Sequence, residues 1–276
     1  MTKNHKPEAV PTYRLTRAKI ETLELLSKYF CLRVNDVAQL LRNLTPNEND
    51  KRSVRHTLGL LYNAGLVNRL PYLDLDRESG GVTYVYGLSD KGVKDCLNLY
   101  PYAKTFDEHS QRTLDHELEI SIFHIALKKF CHEHNLKLYW QQADLKCTIN
   151  PDALFALTDP AKPEGKNTLY YFLEIERAKI GHYLKGKPSI INKLQRYYEY
   201  YNSDECQKEW NFRQFRTIVV QRTEERRKNL LKQLSAQFNH RTFWLTDEQS
   251  YKENIGGAIF KTPKDYNTAA YSFLSV

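Results

Sequence analysis

The chain has 276 residues, which is room for one large domain or two ordinary ones. Its 41 lysines and arginines outnumber its 33 aspartates and glutamates, and the net charge of +8 suits either an acidic partner such as nucleic acid or a soluble surface. Five scattered cysteines without a CxxC pair, no apolar run of about 18 residues and no signal-peptide pattern argue against a secreted or membrane protein and predict a cytoplasmic one.

The first hundred residues have the element order of a winged helix-turn-helix. Apolar residues at helical spacing predict three helices, over residues 16–32, 33–43 and 49–65. Asn35 is the predicted N-cap of the second helix, and Gly65 ends the third. Alternating residues on both sides of "RESGG" predict a β-hairpin over residues 66–76 and 80–92, and a helical stretch at 90–100 closes this unit.

A second unit is predicted to follow a linker at residues 101–112. Its elements run in the order α-β-β-β-α-β-α-β, which is typical of a domain with a mixed sheet covered by helices. The predicted helices cover residues 113–135, 189–203 and 224–238, and the predicted strands cover 136–146, 151–159, 168–178, 215–222 and 241–247. The tail from about residue 250 is left unassigned.

Three acidic residues stand at unusual places in these strands. Asp152 begins the second strand, and Glu174 and Glu176 lie two apart near the end of the third, so both glutamates share a face. If the two strands pair, Asp152 reaches the same place, and three carboxylates would repel one another there. A divalent cation would remove this conflict and could act on a phosphodiester. The alternative is a Pro-Asp turn followed by solvated edge residues.

The order of these motifs resembles that of known nucleases. "PD" and then E-x-E on adjacent strands, after a helix and before "KLQRYYEY", is similar to the PD-(D/E)xK superfamily, although Glu176 stands where that superfamily normally has lysine. The segments "LLYNAGLVNRL", "VYGLSDKG", "HELEISIFHIAL", "PDALFAL", "FLEIER" and "KLQRYYEYY" resemble the replication-relaxation family of plasmid proteins. The likeness extends over about residues 16–245 and is greatest to its mobilisation relaxases of type C.

The resemblance implies both a fold and a function. The fold is an N-terminal winged helix-turn-helix, residues 1–105, followed by a PD-(D/E)xK restriction-endonuclease-like domain with a central mixed sheet, residues 106–276. The function is that of a plasmid mobilisation relaxase, an endonuclease that nicks one strand at the origin of transfer for conjugation. It would use Mg²⁺ or Mn²⁺ and no covalent tyrosine intermediate. Its partners would be double-stranded and locally melted DNA at that origin, with other mobilisation or coupling proteins as further candidates.

The resemblance also assigns roles to individual side chains. Asp152, Glu174 and Glu176 would be metal ligands. Glu119, on the helix that precedes the sheet, is a fourth candidate, and the alternative is an exposed helix residue. Lys193, in the helix after the third strand, could supply the positive charge that Glu176 lacks, and the alternative is a solvated lysine.

The third helix of the first unit carries the candidate DNA contacts. Lys51, Arg52, Ser53 and Arg55 lie near its N-terminal half, where recognition helices meet bases and phosphates in the major groove, and Arg69 leads into the wing. A solvated charged face is the alternative. A further basic set, for which phosphate contact is an open question, comprises Arg222, Arg226 and Arg227.

Two motifs that resemble catalytic sites have simpler interpretations. His132 and His134 form a His-x-His pair, but helical residues two apart do not face each other, which argues against a metal site. The tyrosine-rich stretch from residue 196 to 201 could suggest a tyrosine nucleophile. Its spacing instead predicts a packed helix face that includes Tyr197.

Two other functions stay open at this stage. The first is a non-catalytic DNA-binding replication or transcription regulator of a mobile element, which the glutamate at the usual lysine position keeps in consideration. The second is a double-strand endonuclease that acts as a homodimer. The cleavage pattern would separate that enzyme from a nickase.

Overall fold

The computed structural model describes residues 15–73, 82–96, 103–107, 111–142, 145, 147–177 and 189–274. We call the part up to residue 107 the N-terminal unit and the part from residue 111 the sheet unit. None of the described helices combines the length and the apolar composition that crossing a membrane requires.

The N-terminal unit consists of helices packed on a small antiparallel sheet. Its elements are α1 (Arg17–Lys28), β1 (Leu32–Arg33), α2 (Val34–Leu41), α3 (Glu48–Asn63), β2 (Val67–Leu73), β3 (Val82–Leu88) and α4 (Asp90–Cys96). The strand order is β1-β3-β2, so the pairing of β2 with β3 forms the predicted hairpin. The predicted turn, residues 77–81, lies outside the described residues. The sequence did not predict β1, because two residues are too short to show a strand pattern.

The helix ends show one wrong prediction and one confirmed one. Asn35 is not the N-cap of α2, because it lies inside the helix and donates to Gln39 Oε1 at 3.1 Å. Arg33 is the N-cap, and the Asp36 carboxylate accepts from its backbone N–H and from its guanidinium, both at 3.0 Å. Gly65 follows the last turn of α3 with φ at +70°, a conformation that favours glycine at a helix end.

The sheet unit has the predicted mixed α+β architecture. Its elements are α5 (Gln111–Glu133), β4 (Lys137–Gln141), β5 (Ala153–Thr158), β6 (Thr168–Glu176), α6 (Ile190–Asn202), α7 (Glu205–Trp210), β7 (Phe215–Gln221), α8 (Glu224–Ser235), β8 (Phe243–Asp247) and α9 (Glu248–Asn254). The sheet has the order β4-β5-β6-β7-β8, antiparallel up to β6 and parallel from β6 to β8. The short helices α7 and α9 were not predicted.

Both faces of this sheet are covered, so that β6 is buried on each side. Helix α5 packs through Phe123 and Leu127 against the face that carries Leu173. Helices α6 and α8 cover the opposite face, where Leu194 belongs to the same apolar cluster as Phe172. Because side chains alternate along β6, Glu174 points to the α6 face and lies beyond the end of its apolar cluster.

An apolar contact around Phe106 joins the two units. Phe106, at the end of the N-terminal unit, is fully buried with Val85 of β3 and Leu118 of α5. The approach is close, since a Cβ on Gly87 would lie only 2.4 Å from the Phe106 side chain. The contact brings the end of α1 beside the beginning of α5, where the candidate site begins.

Candidate active site

Three of the four predicted acidic residues line one groove at the carboxyl end of β6, namely Asp152, Glu174 and Glu176. We call it the acid groove; its volume is about 520 Å³ and its lining residues are Thr113, His116, Asp152, Glu174, Ile175, Glu176, Arg177 and Lys193. Strands β5 and β6 are antiparallel, with Ala153 opposite Leu173. This register brings Asp152, at the start of β5, beside Glu174, as the alternation along both strands predicted.

Asp152 is anchored to both neighbouring elements. Its backbone N–H donates to the Leu173 carbonyl at 3.0 Å, and its Oδ2 accepts from the Ile175 backbone N–H at 2.7 Å. The same Oδ2 lies 3.2 Å from His116 Nε2 on α5. The carboxylate is therefore held in one orientation by contacts to β6 and to α5.

Glu174 is a buried acid with limited compensation. Its carboxyl accepts hydrogen bonds from Lys193 Nζ and from the Tyr197 hydroxyl, both on α6. Burial, with a further contribution from Asp152, raises the pKa of Glu174 to about 8, although Lys193 and Tyr197 act in the opposite direction. Additional positive charge in the groove would stabilise its ionised form, which is the condition for metal or phosphate chemistry.

Lys193 faces the acids and is not simply a solvated lysine. It lies in the first turn of α6, where Ser189 is the N-cap and accepts the Lys193 backbone N–H at 3.0 Å. Its ammonium pairs with Glu174. A positive charge from α6 therefore lies against Glu174.

His116 is a residue of the acid groove that was not predicted from the sequence. Burial alone lowers the pKa of His116, but hydrogen bonds to Asp152 and Glu117 outweigh it and raise the pKa to about 10. The histidine is therefore a second positive charge in the acid groove. No pattern near His116 in the sequence indicates this contact, because Asp152 lies 36 residues away.

Glu119 lies outside the acid groove, in a network of its own. It is buried and accepts from the Tyr251 hydroxyl, from Arg177 Nη1 at 3.0 Å and from Lys252 Nζ at 3.1 Å. Arg177 Nη1 also lies 3.1 Å from Glu248 Oε1. The prediction that Glu119 joins the three acids is therefore wrong, because partners from α9 hold it on the other side of Arg177.

The donor set in the acid groove suits a hard cation by its chemistry. Carboxylate oxygens from Asp152, Glu174 and Glu176 are the ligands that Mg²⁺ and Mn²⁺ prefer. Within the part of the chain that the structure describes, no three His, Cys, Asp or Glu side chains are gathered closely enough to hold a metal ion. The oxygens of Asp152 and Glu174 are instead engaged by His116 and Lys193, so metal binding would have to displace these contacts.

The candidate DNA contacts of α3 form an exposed surface. Arg52, Ser53 and Arg55 are exposed on its first two turns, while Val54 points into the core. Lys51 is partly exposed, and its ammonium lies 2.8 Å from Glu48 Oε1.

The other basic candidates have different surroundings. The Arg69 guanidinium, on β2, lies 4.3 Å from the centre of the Tyr62 ring and 4.9 Å from that of Tyr84. Arg227 is buried and 3.4 Å from Asp247, so it is a structural residue and not a phosphate contact.

The fold and the groove define a mixed α+β protein with acidic and basic side chains gathered at the end of its central strand. The chain belongs to the replication-relaxation family, whose model matches residues 26–214. Among solved structures, the restriction endonuclease FokI aligns with a TM-score of 0.32 and 12% identity, covering 94% of this chain and 46% of that one. A comparison with curated proteins gave no significant match.

Proposed function

We propose that the protein is a metal-dependent DNA endonuclease that nicks one strand at the origin of transfer of a plasmid, as a mobilisation relaxase does. The observation that carries the proposal is the acid groove, in which Asp152 and Glu174 lie side by side with Lys193 and His116. Membership of the replication-relaxation family supports a role in DNA processing.

Asp152, Glu174 and Glu176 would hold the Mg²⁺ or Mn²⁺ ion. When bound, the ion stabilises charge on the scissile phosphate and lowers the pKa of an attacking water. Lys193 is placed to pair with a phosphate oxygen once its contact with Glu174 is released. His116 keeps the Asp152 carboxylate oriented through the hydrogen bond to Oδ2. Hydrolysis joins the water oxygen to phosphorus and releases one sugar oxygen as a hydroxyl.

The N-terminal unit would act as a winged helix that binds duplex DNA. The exposed residues Arg52, Ser53 and Arg55, with Lys51, lie on the helix that enters the major groove in such proteins, and Arg69 would contact the backbone from the wing. Phosphate contacts supply much of the affinity in such interfaces, so binding should weaken steeply with salt. We place this activity in the cytoplasm, with other mobilisation or coupling proteins as partners.

The test is a nicking assay on supercoiled plasmid that carries the transfer origin, with Mg²⁺, with Mn²⁺ and with EDTA. Conversion to open circles should require metal and origin, and should fall at least about 100-fold in Asp152→Asn and in Glu174→Gln, a loss typical of a removed catalytic group. Asp159→Asn is the matched control, because this aspartate lies just beyond the far end of β5. DNA binding should be kept in all three variants.

A non-catalytic DNA-binding regulator is the second candidate function. It is favoured by Glu176 at the usual lysine position and by the engagement of both groove acids with Lys193 and His116. In that case the plasmid would be bound tightly and left uncut in either metal. Linear products instead of open circles would indicate a double-strand endonuclease that acts as a homodimer.

A further inference from the structure

A second cavity opens from the acid groove between the two units. We call it the junction cavity; its volume is about 640 Å³. Three residues line both spaces, namely Thr113, His116 and Asp152. A molecule in the junction cavity would therefore lie directly beside the proposed site of cleavage.

The walls of the junction cavity come from both units. The N-terminal unit contributes Lys28 and Phe30 at the end of α1, with Lys104 from the connection to α5. The sheet unit contributes Glu117 of α5 and Gln142 after β4. Because neither unit forms the cavity alone, its occupant would depend on the contact of Phe106 with both.

The size of the junction cavity indicates which kind of ligand it could hold. Its volume lies within the range of about 300–1,000 Å³ that is usual for small-ligand sites. A DNA duplex, whose major groove alone is about 12 Å wide, is too large to enter it. One unpaired nucleotide of a strand that lies across the acid groove is of suitable size.

The chemistry of the walls also suits a nucleotide. Lys28 and Lys104 are exposed and can pair with phosphates of the strand on either side. Phe30 is partly exposed, with its ring edge-to-face against Phe106, and offers an aromatic surface to a base.

One wall residue has an unused hydrogen-bond acceptor. Gln142 Nε2 donates to Glu117 Oε2 at 3.4 Å, a long contact that does not hold the amide rigidly. Its Oε1 is buried and has no hydrogen-bond partner among the described residues. Buried acceptors are normally satisfied, and rotation of the Gln142 side chain toward the cavity would let the exocyclic amino group of a base satisfy this one.

We propose that the junction cavity binds one unpaired nucleotide of the DNA strand, next to the phosphodiester that lies at Asp152 and Glu174. The inference rests on the proposed function for the nature of the polymer, and it adds the place in the structure where an unpaired base of the melted strand would bind. The base would stack on Phe30 and donate a hydrogen bond to Gln142. The phosphates on either side of this nucleotide would pair with Lys28 and Lys104.

The first test is photocrosslinking in EDTA, so that it does not depend on cleavage. The probe is a twelve-nucleotide single strand with 5-iodocytosine in place of cytosine, and the protein is the full chain. We expect crosslinked peptides that contain Phe30 or Gln142, as mapped by mass spectrometry. A bound oligonucleotide that crosslinks only elsewhere, for example at the exposed Tyr62 and Tyr84, would overturn the proposal.

The second test is the salt dependence of single-strand binding, measured by fluorescence anisotropy. In the double variant Lys28→Gln/Lys104→Gln, the slope of log affinity against log salt should fall by about 1.4, as expected for two lost phosphate contacts to a single strand. Gln142→Leu should lower the affinity severalfold for a cytosine-containing strand. The control is Lys162→Gln/Lys166→Gln, in the turn after the far end of β5.

These outcomes separate the inference from the proposed function. If the plasmid is nicked but the cavity variants bind single strands as the wild type does, the cavity proposal fails and the nickase stands. If no nicking occurs but the crosslinks map to Phe30 or Gln142, the cavity binds DNA and the nickase proposal fails. We also expect the cavity variants, Lys28→Gln/Lys104→Gln and Gln142→Leu, to bind duplex DNA as the wild type does.

Discussion

Glu119 and Glu174 are both buried glutamates of the sheet unit, yet their surroundings differ. Each accepts a hydrogen bond from a buried tyrosine, Tyr251 for Glu119 and Tyr197 for Glu174. Glu119 is also paired with two cations, Arg177 and Lys252. Glu174 is paired with Lys193, and it lies beside a second acid in an open groove.

The difference shows that burial of an acid does not by itself identify a functional site. The network of Glu119 balances itself, since Arg177 and Lys252 are shared between that acid and Glu248. Around Glu174 the negative charge is compensated less completely, and burial together with Asp152 raises the pKa of Glu174 to about 8. A groove that leaves an acid in this state is a candidate site for a cation or a ligand, whereas a closed network is not.

The largest expected effect is a difference in folding stability between variants of the two acids. Glu119→Gln should lower the free energy of unfolding by about 3 kcal/mol, because it leaves two partly buried cations, Arg177 and Lys252, with Glu248 as the one carboxylate they share in this network. Glu174→Gln should change it by less than about 1 kcal/mol at pH 7, since that carboxyl is mostly protonated there and glutamine is of similar size. Urea denaturation followed by circular dichroism measures both. Equal losses in the two variants would contradict the comparison.

A third buried ionisable side chain, His124, extends the comparison to a group that burial keeps neutral. Its ring stacks on Trp140 with centroids 4.2 Å apart, and its Nδ1 accepts from the Tyr29 hydroxyl. Burial, with repulsion from Lys128, lowers the pKa of His124 to about 3. The unfolded chain, with a histidine pKa near 6.5, therefore binds a proton that the folded chain does not, and stability falls as the pH decreases below about 6.5.

When the pH falls from 6.5 to 5, His124 should lower the free energy of unfolding of the wild type by about 2 kcal/mol. His124→Gln keeps an acceptor for Tyr29 but does not titrate. Over the same pH range, the free energy of unfolding of this variant should therefore fall by about 2 kcal/mol less than that of the wild type. The measurement is chemical denaturation at several pH values. His56→Gln, at an exposed position of α3, is the control and should behave as the wild type does. Parallel curves for all three proteins would show that His124 is not the source of the acid sensitivity.

Much of the site was predictable because it depends on local periodicity. Alternation along β5 and β6, with their order in the chain, was enough to place Asp152 beside Glu174 and both glutamates on one face. The helix that carries Lys193 was also predicted, whereas the contact of Lys193 with Glu174 became visible only in the structure. These features depend on residues that are close in sequence or on strands that follow one another.

The parts that failed depend on contacts across long sequence separations. His116 meets Asp152 from 36 residues away, and Glu119 meets Tyr251 from 132 residues away, in a region the sequence left unassigned. No local pattern signals such a partner. The N-cap of α2 failed for a different reason, because Asp36 supplies the cap contacts that the sequence rules assign to the preceding polar residue.

The two tyrosines provide the smallest and most closely matched test. Tyr251→Phe removes a hydrogen bond to an ion-paired carboxylate and should cost about 2 kcal/mol. Tyr197→Phe removes a hydrogen bond to a carboxyl that is mostly protonated at pH 7, and should cost about 1 kcal/mol. Both rings are fully buried and lose the same atom, so the packing terms are similar. Thermal and urea denaturation at pH 7 measure the difference. A larger cost for Tyr197→Phe would mean that Glu174 is held as a carboxylate before any cation binds, and that its groove, like the network of Glu119, is already balanced.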